Sequence, residues 1–197
     1  MRDLKKYYSE RSTWRVSSQE NMRFKAASKL ISFAPNAAVL DIGCRDGNLR
    51  GFLPKDIRFT GIDIAEEFKS DNIIIADVSE GIPFPNNSFD VIFMIDVLEH
   101  TLKPHEIFRE IKRVMKKDAH FVISVPNPYH FIDLISNVFN IKDRQGHIFS
   151  WTKQAMIAFG ETSGFKINQT SGTYFYPPMP ANGILARSII YDFKNLE

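Results

Sequence analysis

A single cysteine among 197 residues, Cys44, excludes an internal disulfide and with it the small disulfide-stapled class of secreted domains. No base is identifiable beside it in the sequence, so Cys44 reads as a small packing residue and not as a nucleophile. Long apolar runs are also missing. The longest, Val91 to Leu98, is broken by Asp96 and is far too short to cross a bilayer. Neither a CxxC nor an HExxH pattern occurs, and the five histidines fall at no metal-ligand spacing, so no metal is expected. Internal repeats, low-complexity tracts and a charged-apolar-small leader are likewise absent, and the expectation is a reducing, cytoplasmic setting.

Charge of one sign is scarce overall, at a net +2, but it is unevenly spread. Residues 1–30 hold eight basic side chains against Asp3, Glu10 and Glu20, which leaves the rest of the chain net acidic. Such an arm suits an acidic substrate, RNA or peripheral contact with an anionic membrane, but a solvated helix face is the favoured account of it. No nucleic-acid recognition module accompanies it.

What the chain does contain is 44% apolar residues over a length that buries one sizeable core, which predicts a single α/β domain. Apolar spacing predicts a helix over residues 19–34, ended by Pro35-Asn36. Short β-branched or apolar runs predict strands at 38–42, 57–63, 72–76 and 90–95. They lack clean alternation, as strands covered on both faces do. Pro104 opens a helix carrying Ile107, Phe108, Ile111 and Val114 at helical spacing, with Lys116 and Lys117 at its end. A fifth strand spans 120–125. Pro126-Asn-Pro128 then begins an excursion to about residue 149, a candidate lid or substrate loop. Ser150 or Thr152 caps the next helix, expected to turn Ala155, Ala158 and Phe159 inward before Gly164. A sixth strand follows at 165–169. Residues 184–193 fit either a closing antiparallel strand or an amphipathic helix.

Alternating strands and helices imply a parallel sheet with right-handed crossovers, and such sheets bind ligands outside their C-terminal strand ends. Asp41, Asp63, Asp77 and Asp96 all fall at such ends, and four carboxylates on one rim are hard to explain as packing. The run Val39-Leu-Asp-Ile-Gly-Cys-Arg-Asp-Gly47 joins a buried strand to a turn with two glycines, where backbone N–H groups can approach a nucleotide-type ligand. A carboxylate about 20 residues after the first glycine, Asp63, is placed to accept from both hydroxyls of a ribose. Asp77 suits an exocyclic amine, or caps a short helix instead.

These residues resemble the class I S-adenosylmethionine-dependent methyltransferases, closest to the ubiquinone-biosynthesis-like subgroup called type 11. The likeness covers about residues 37–170. It rests on Val39 to Cys44, Gly61-Ile-Asp-Ile64, Ile82 to Val91, Asp96-Val-Leu-Glu-His100, Gly146 to Thr152 and Ser163-Gly-Phe165. It implies a Rossmann-like, mostly parallel seven-stranded sheet with helices on both faces, built by residues 35–197. Residues 1–34, a basic arm and helix, would cover the cofactor site, and Tyr7, Tyr8 and Trp14 would either close over it or pack the arm itself. By the same resemblance Asp41, Gly43 and Gly47 frame the methionine end of the cofactor, with Cys44 and Arg45 nearby. Asp63 takes the ribose, Ile64 packs on adenine, Asp77 and Val78 meet its amino edge, and Asp96 lies near the methyl group. Where the family has glycine this chain has Arg45, whose side chain must turn away and whose backbone must tolerate the turn's angles.

The implied activity is methyl transfer to a small-molecule oxygen, nitrogen or carbon. His100 and His130 are the candidate bases, needed only for an acceptor protonated at working pH. His147 reads as structural, and Tyr129 and His130 as placed to touch substrate. Rival readings are a non-catalytic binder of the same cofactor and a nicotinamide-dependent oxidoreductase, the latter disfavoured because the first turn is not GxGxxG.

Overall fold

The computed structural model describes residues 18–139, 141, 146–174 and 183–196, in one seven-stranded sheet of order β3-β2-β1-β4-β5-β7-β6. The expected positions of Tyr7, Tyr8 and Trp14 lie outside the described residues. The strands are β1 (Ala38–Ile42), β2 (Arg58–Asp63), β3 (Ile73–Ile75), β4 (Phe89–Ile95), β5 (Met115–Pro126), β6 (Phe165–Gly172) and β7 (Ser188–Asn195). The first five run parallel, and β7 pairs antiparallel with both β5 and β6. The tail is therefore the closing strand and not a helix.

Successive side chains of each central strand face opposite layers, which is why these strands read as continuous apolar runs. Leu40, Ile92, Met94, Phe121 and Ile123 join one core cluster. Their alternates Val39, Val91, Phe93 and Val122 join another on the opposite face. Helix α2 (Pro104–Val114) and helix α4 (Lys153–Thr162) cover the first face. There Phe108 sits at the centre of an aromatic group with Phe121, Phe159, Phe165 and Phe193, at ring separations of 4.8–6.2 Å. On the second face lie helix α1 (Ser18–Lys29), anchored by the buried Ala27, and the short 3-10 turn Asn48–Phe52, anchored by Leu49. Helix α3 (Phe131–Val138) follows β5.

Four details differ from expectation. Helix α1 ends at Lys29, five residues early, and a turn in which the Ala37 N–H donates to the Ala34 carbonyl leads into β1. Lys116 and Lys117 do not end α2. Met115 already pairs with Phe89, so β5 begins there, and Lys116 donates to Asp90 on the neighbouring strand at 2.8 Å. Helix α4 turns Met156 and Gly160 inward while Ala155 and Ala158 are exposed. Gly160 is required because a methyl group there would stand 2.4 Å from the Phe193 ring. Thr152 makes the cap, accepting from the Ala155 N–H at 3.1 Å. Finally, the excursion after β5 contains α3, whose apolar residues face outward and so gave no buried stripe to find.

Candidate functional site

The site grows from the two strand ends at the middle of the sheet, where the order reverses between β1 and β4. Beyond β1 the chain must turn at once, and Gly43 (φ +71) and Gly47 (φ +75) supply the left-handed backbone. Gly43 also has no room for a side chain, since a methyl group would meet Val97 at 2.4 Å. Its N–H and that of Cys44 both donate to the Ile62 carbonyl, at 2.8 and 3.1 Å, and pin the turn to β2. Beyond β4, Asp96 adopts φ +53, and its N–H donates to the Ser124 carbonyl of β5 at 3.1 Å. The Ser124 hydroxyl donates to the Asp96 carboxylate at 2.5 Å.

Between these turns lies a cleft lined by Asp41, Gly43, Cys44, Arg45, Asp46, Ile95, Asp96 and Val97, with Glu20, Arg23 and Phe24 of α1 closing it from above. Arg23 donates to the Asp96 carboxylate, and Arg45 pairs with Glu20 at 3.2 Å. Burial opposes the Arg23 charge, but Asp96, then Tyr174 and Glu20, outweigh it and raise its pKa. These two ion pairs were not legible in the sequence, because each joins α1 to a turn distant in the chain. Arg45 takes the strained backbone the sequence implied, φ +51, and its guanidinium, paired with Glu20 at the cleft, lies 5.9 Å from the Phe68 ring centre.

Asp63 ends β2 beneath this turn. One carboxylate oxygen accepts from the Arg45 N–H at 2.8 Å and the other from the Ala65 N–H at 3.0 Å, so each keeps a lone pair for a further donor. Burial raises the Asp63 pKa against those two hydrogen bonds. Asp41 is 3% exposed, and burial, then the Asp63 charge, push its carboxyl well above the ordinary range. Two neighbouring buried carboxyl groups at one strand-end turn offer acceptors to a ligand bearing N–H or O–H groups. Cys44 is buried, and its thiol pKa is pushed up by burial and by Asp41 and Asp63, which makes it inert as a nucleophile.

Gly47 and Asp63 adjoin the cleft without being among its lining residues, and the other expected residues stand apart from it. Asp77 is exposed and accepts from the Ser79 N–H at 2.9 Å within a turn, and no helix starts there for it to cap. Ile64 and Val78 are half-buried, Val78 against the core, and neither lines the cleft. His130 is buried at the start of α3, beside Asp133 at 3.6 Å and Arg187 at 3.4 Å, and burial lowers its pKa. His100 follows β4 with its Nδ1 3.4 Å from the Gly146 carbonyl. Neither histidine lines the cleft. Beside His100 are Glu99, buried to 1% exposure, and His147.

A doubly wound sheet with an acidic C-terminal rim and a two-glycine first turn defines a nucleotide-cofactor-binding α/β domain. The methyltransferase domain family matches residues 18–170, and the chain belongs to that family, whose cofactor is S-adenosylmethionine. An uncharacterized protein of Methanocaldococcus jannaschii is 32% identical over 145 residues, covering 71% of this chain and 59% of that protein. The 27-O-demethylrifamycin SV methyltransferase of Amycolatopsis mediterranei is 29% identical over 109 residues, 46% of this chain and 40% of that enzyme. The chain thus spans about half the length of such relatives. In fold it is similar to an S-adenosylmethionine-dependent methyltransferase of Thermotoga maritima, at a TM-score of 0.72 and 16% identity over 98% of both chains.

Proposed function

We propose that this chain transfers the methyl group of S-adenosylmethionine to a small-molecule acceptor at oxygen, nitrogen or carbon. The observation that carries the reading is the pair of buried carboxylates, Asp41 and Asp63, below a glycine turn too tight for any side chain at Gly43. Bound there, the cofactor supplies a methyl group already activated on a sulfonium, and the chain supplies position.

Asp63 accepts from the two ribose hydroxyls through its remaining lone pairs. Asp41, Gly43, Cys44, Arg45 and Gly47 frame the amino-acid end, and Asp96 stands near the methyl group. Ile64 packs on the adenine, and Asp77 and Val78 reach its amino edge. Residues 1–34 cover the site, as the Glu20, Arg23 and Phe24 contacts support. In-line transfer requires the acceptor atom about 3 to 3.5 Å from the methyl carbon, so alignment provides most of the acceleration. With His100 and His130 both outside the cleft lining, a protein base is secondary to that alignment.

Apolar side chains lie exposed on α3, among them Phe131, Ile132, Leu134, Ile135 and Val138. They follow the C-terminal end of β5, on the rim where such sheets bind their substrates. Their exposure supports an acceptor of largely apolar character. The similar Amycolatopsis enzyme is named for such a compound, 27-O-demethylrifamycin SV. No helix among the described residues is long and apolar enough to span a membrane, which fits an acceptor met in solution or at a surface.

Calorimetric titration with S-adenosylmethionine, S-adenosylhomocysteine and NADH tests the cofactor, and release of S-adenosylhomocysteine over a panel of apolar acceptors tests transfer. Saturable binding of the first two ligands, with turnover of at least one acceptor, is expected. Preference for NADH overturns the reading, and tight binding without any turnover leaves a cofactor-binding protein in its place.

A further inference from the structure

Glu99 occupies the middle of the 3-10 turn Leu98–His100 that follows β4, and it is 1% exposed with no hydrogen-bond partner among the described residues for either carboxylate oxygen. A buried carboxylate without donors is among the most expensive arrangements a fold can hold. Nothing in the methyl-transfer reading uses it. The Glu99 backbone carbonyl meanwhile accepts from the Ile148 and Phe149 N–H groups at 2.7 and 3.2 Å. These two bonds dock the segment 146–149 on the turn and bring His147 to His100, with ring centres 5.0 Å apart and planes inclined by 47°.

One donor atom each from Glu99, His100 and His147 thereby lies within 4.8 Å of the others. Ligands held about 2.1 Å from a tetrahedral or octahedral ion stand roughly 3 to 3.4 Å apart, so side-chain shifts of about an ångström close this triangle. The Gly146 carbonyl can only accept, so the His100 Nδ1 that faces it carries the proton and Nε2 the lone pair. Metal-bound histidines commonly use such a carbonyl to fix their tautomer.

We propose that Glu99, His100 and His147 bind one divalent first-row transition-metal ion, for which a donor set of one carboxylate and two imidazoles is suited. The ion satisfies the Glu99 carboxylate, which finds no side-chain or backbone donor among the described residues. Three protein ligands leave at least one coordination position open to water or another oxygen. The turn that carries two of the ligands begins two residues after Asp96, so the ion stands at the edge of the cleft and is distinct from the methyl donor's own contacts. Binding of the ion does not depend on the methyltransferase reading.

The test uses the full chain, stripped with a chelator and titrated with Co2+ by absorbance and with Zn2+ by calorimetry, with S-adenosylhomocysteine titrated in parallel. One ion per chain at micromolar or tighter affinity is expected, with visible Co2+ bands typical of nitrogen and oxygen ligands and a higher Tm. His147→Ala and Glu99→Gln should each weaken binding at least 30-fold, while His105→Ala, at an exposed histidine away from the site, should leave it unchanged. Glu99→Gln keeps the size and shape of the buried side chain and should melt no lower than the stripped parent, which separates loss of the ion from loss of the fold. Absence of saturable one-to-one binding by folded protein overturns the proposal, as do His147→Ala and Glu99→Gln variants that bind as tightly as the parent. Retained S-adenosylhomocysteine affinity in either case leaves the cofactor reading standing.

Discussion

Replacing Asp63 by alanine removes an acceptor that the fold uses twice and that the proposed cofactor uses twice more. In the protein alone, the Arg45 and Ala65 N–H groups lose partners at 2.8 and 3.0 Å. Two backbone donors at the edge of a cleft, partly rescued by water, cost about 1 to 3 kcal/mol together. Part of that is returned, because burial raises the Asp63 pKa and its ionised form is held at a cost. For the cofactor, hydrogen bonds to a charged acceptor contribute about 1.5 to 3 kcal/mol each. Since the carboxylate already serves two backbone donors, a combined loss of about 2 to 4 kcal/mol is expected, or roughly 30- to 800-fold in Kd. Calorimetry with S-adenosylhomocysteine reads the affinity, and thermal unfolding checks that the variant is folded. An affinity within threefold of the parent, in a folded variant, refutes the placement of the ribose on Asp63.

Four further outcomes follow from the same structure. Asp41→Asn should melt higher than the parent at pH 8 while binding cofactor more weakly. The folded chain holds the Asp41 proton more tightly than the unfolded one, so stability falls as pH rises through the raised pKa, and the advantage of asparagine should shrink toward pH 5. Glu110 behaves oppositely: its hydrogen bond to Arg113 brings its pKa down to about 2 despite partial burial, so its contribution is complete above its unfolded value of 4.5 and lost toward pH 2. Glu110→Gln should therefore cost about 1 to 2 kcal/mol in urea unfolding at pH 7 and almost nothing at pH 2. Gly43→Ala should lower stability by about 1 to 3 kcal/mol and abolish cofactor binding, because its methyl group would meet Val97 and its φ is +71. Arg45→Gly should leave cofactor affinity equal or improved, since it relieves a left-handed backbone while giving up a partly exposed ion pair with Glu20 and a contact with the Phe68 ring; a large loss would place the guanidinium on the ligand.

The parallel sheet was readable because its strands are buried on both faces, so that Ala37 to Leu40 and Val91 to Ile95 stand out as short apolar runs ended by acids. The glycines announced the first turn for an equally direct reason, the left-handed angles at Gly43 and Gly47. Helix α3 escaped because its apolar residues face outward and give no inward stripe. The start of β5 escaped because Met115 and Lys116 continue the helical spacing of α2 until their pairing with β4 overrides it. Histidine spacing alone also pointed away from a metal. The proximity of Glu99, His100 and His147 comes from two backbone hydrogen bonds between segments distant in the chain, which no local pattern records. The closure of α1 over the cleft rests on Arg23 and Asp96 in the same way.

A crystal structure of the chain with S-adenosylhomocysteine bears most directly on the cleft as the methyl donor's seat. The ribose should lie on the Asp63 carboxylate, with the sulfur between the Gly43 turn and Asp96. A ligand seated elsewhere, with Asp41 and Asp63 still facing no donor but the backbone, contradicts the assignment.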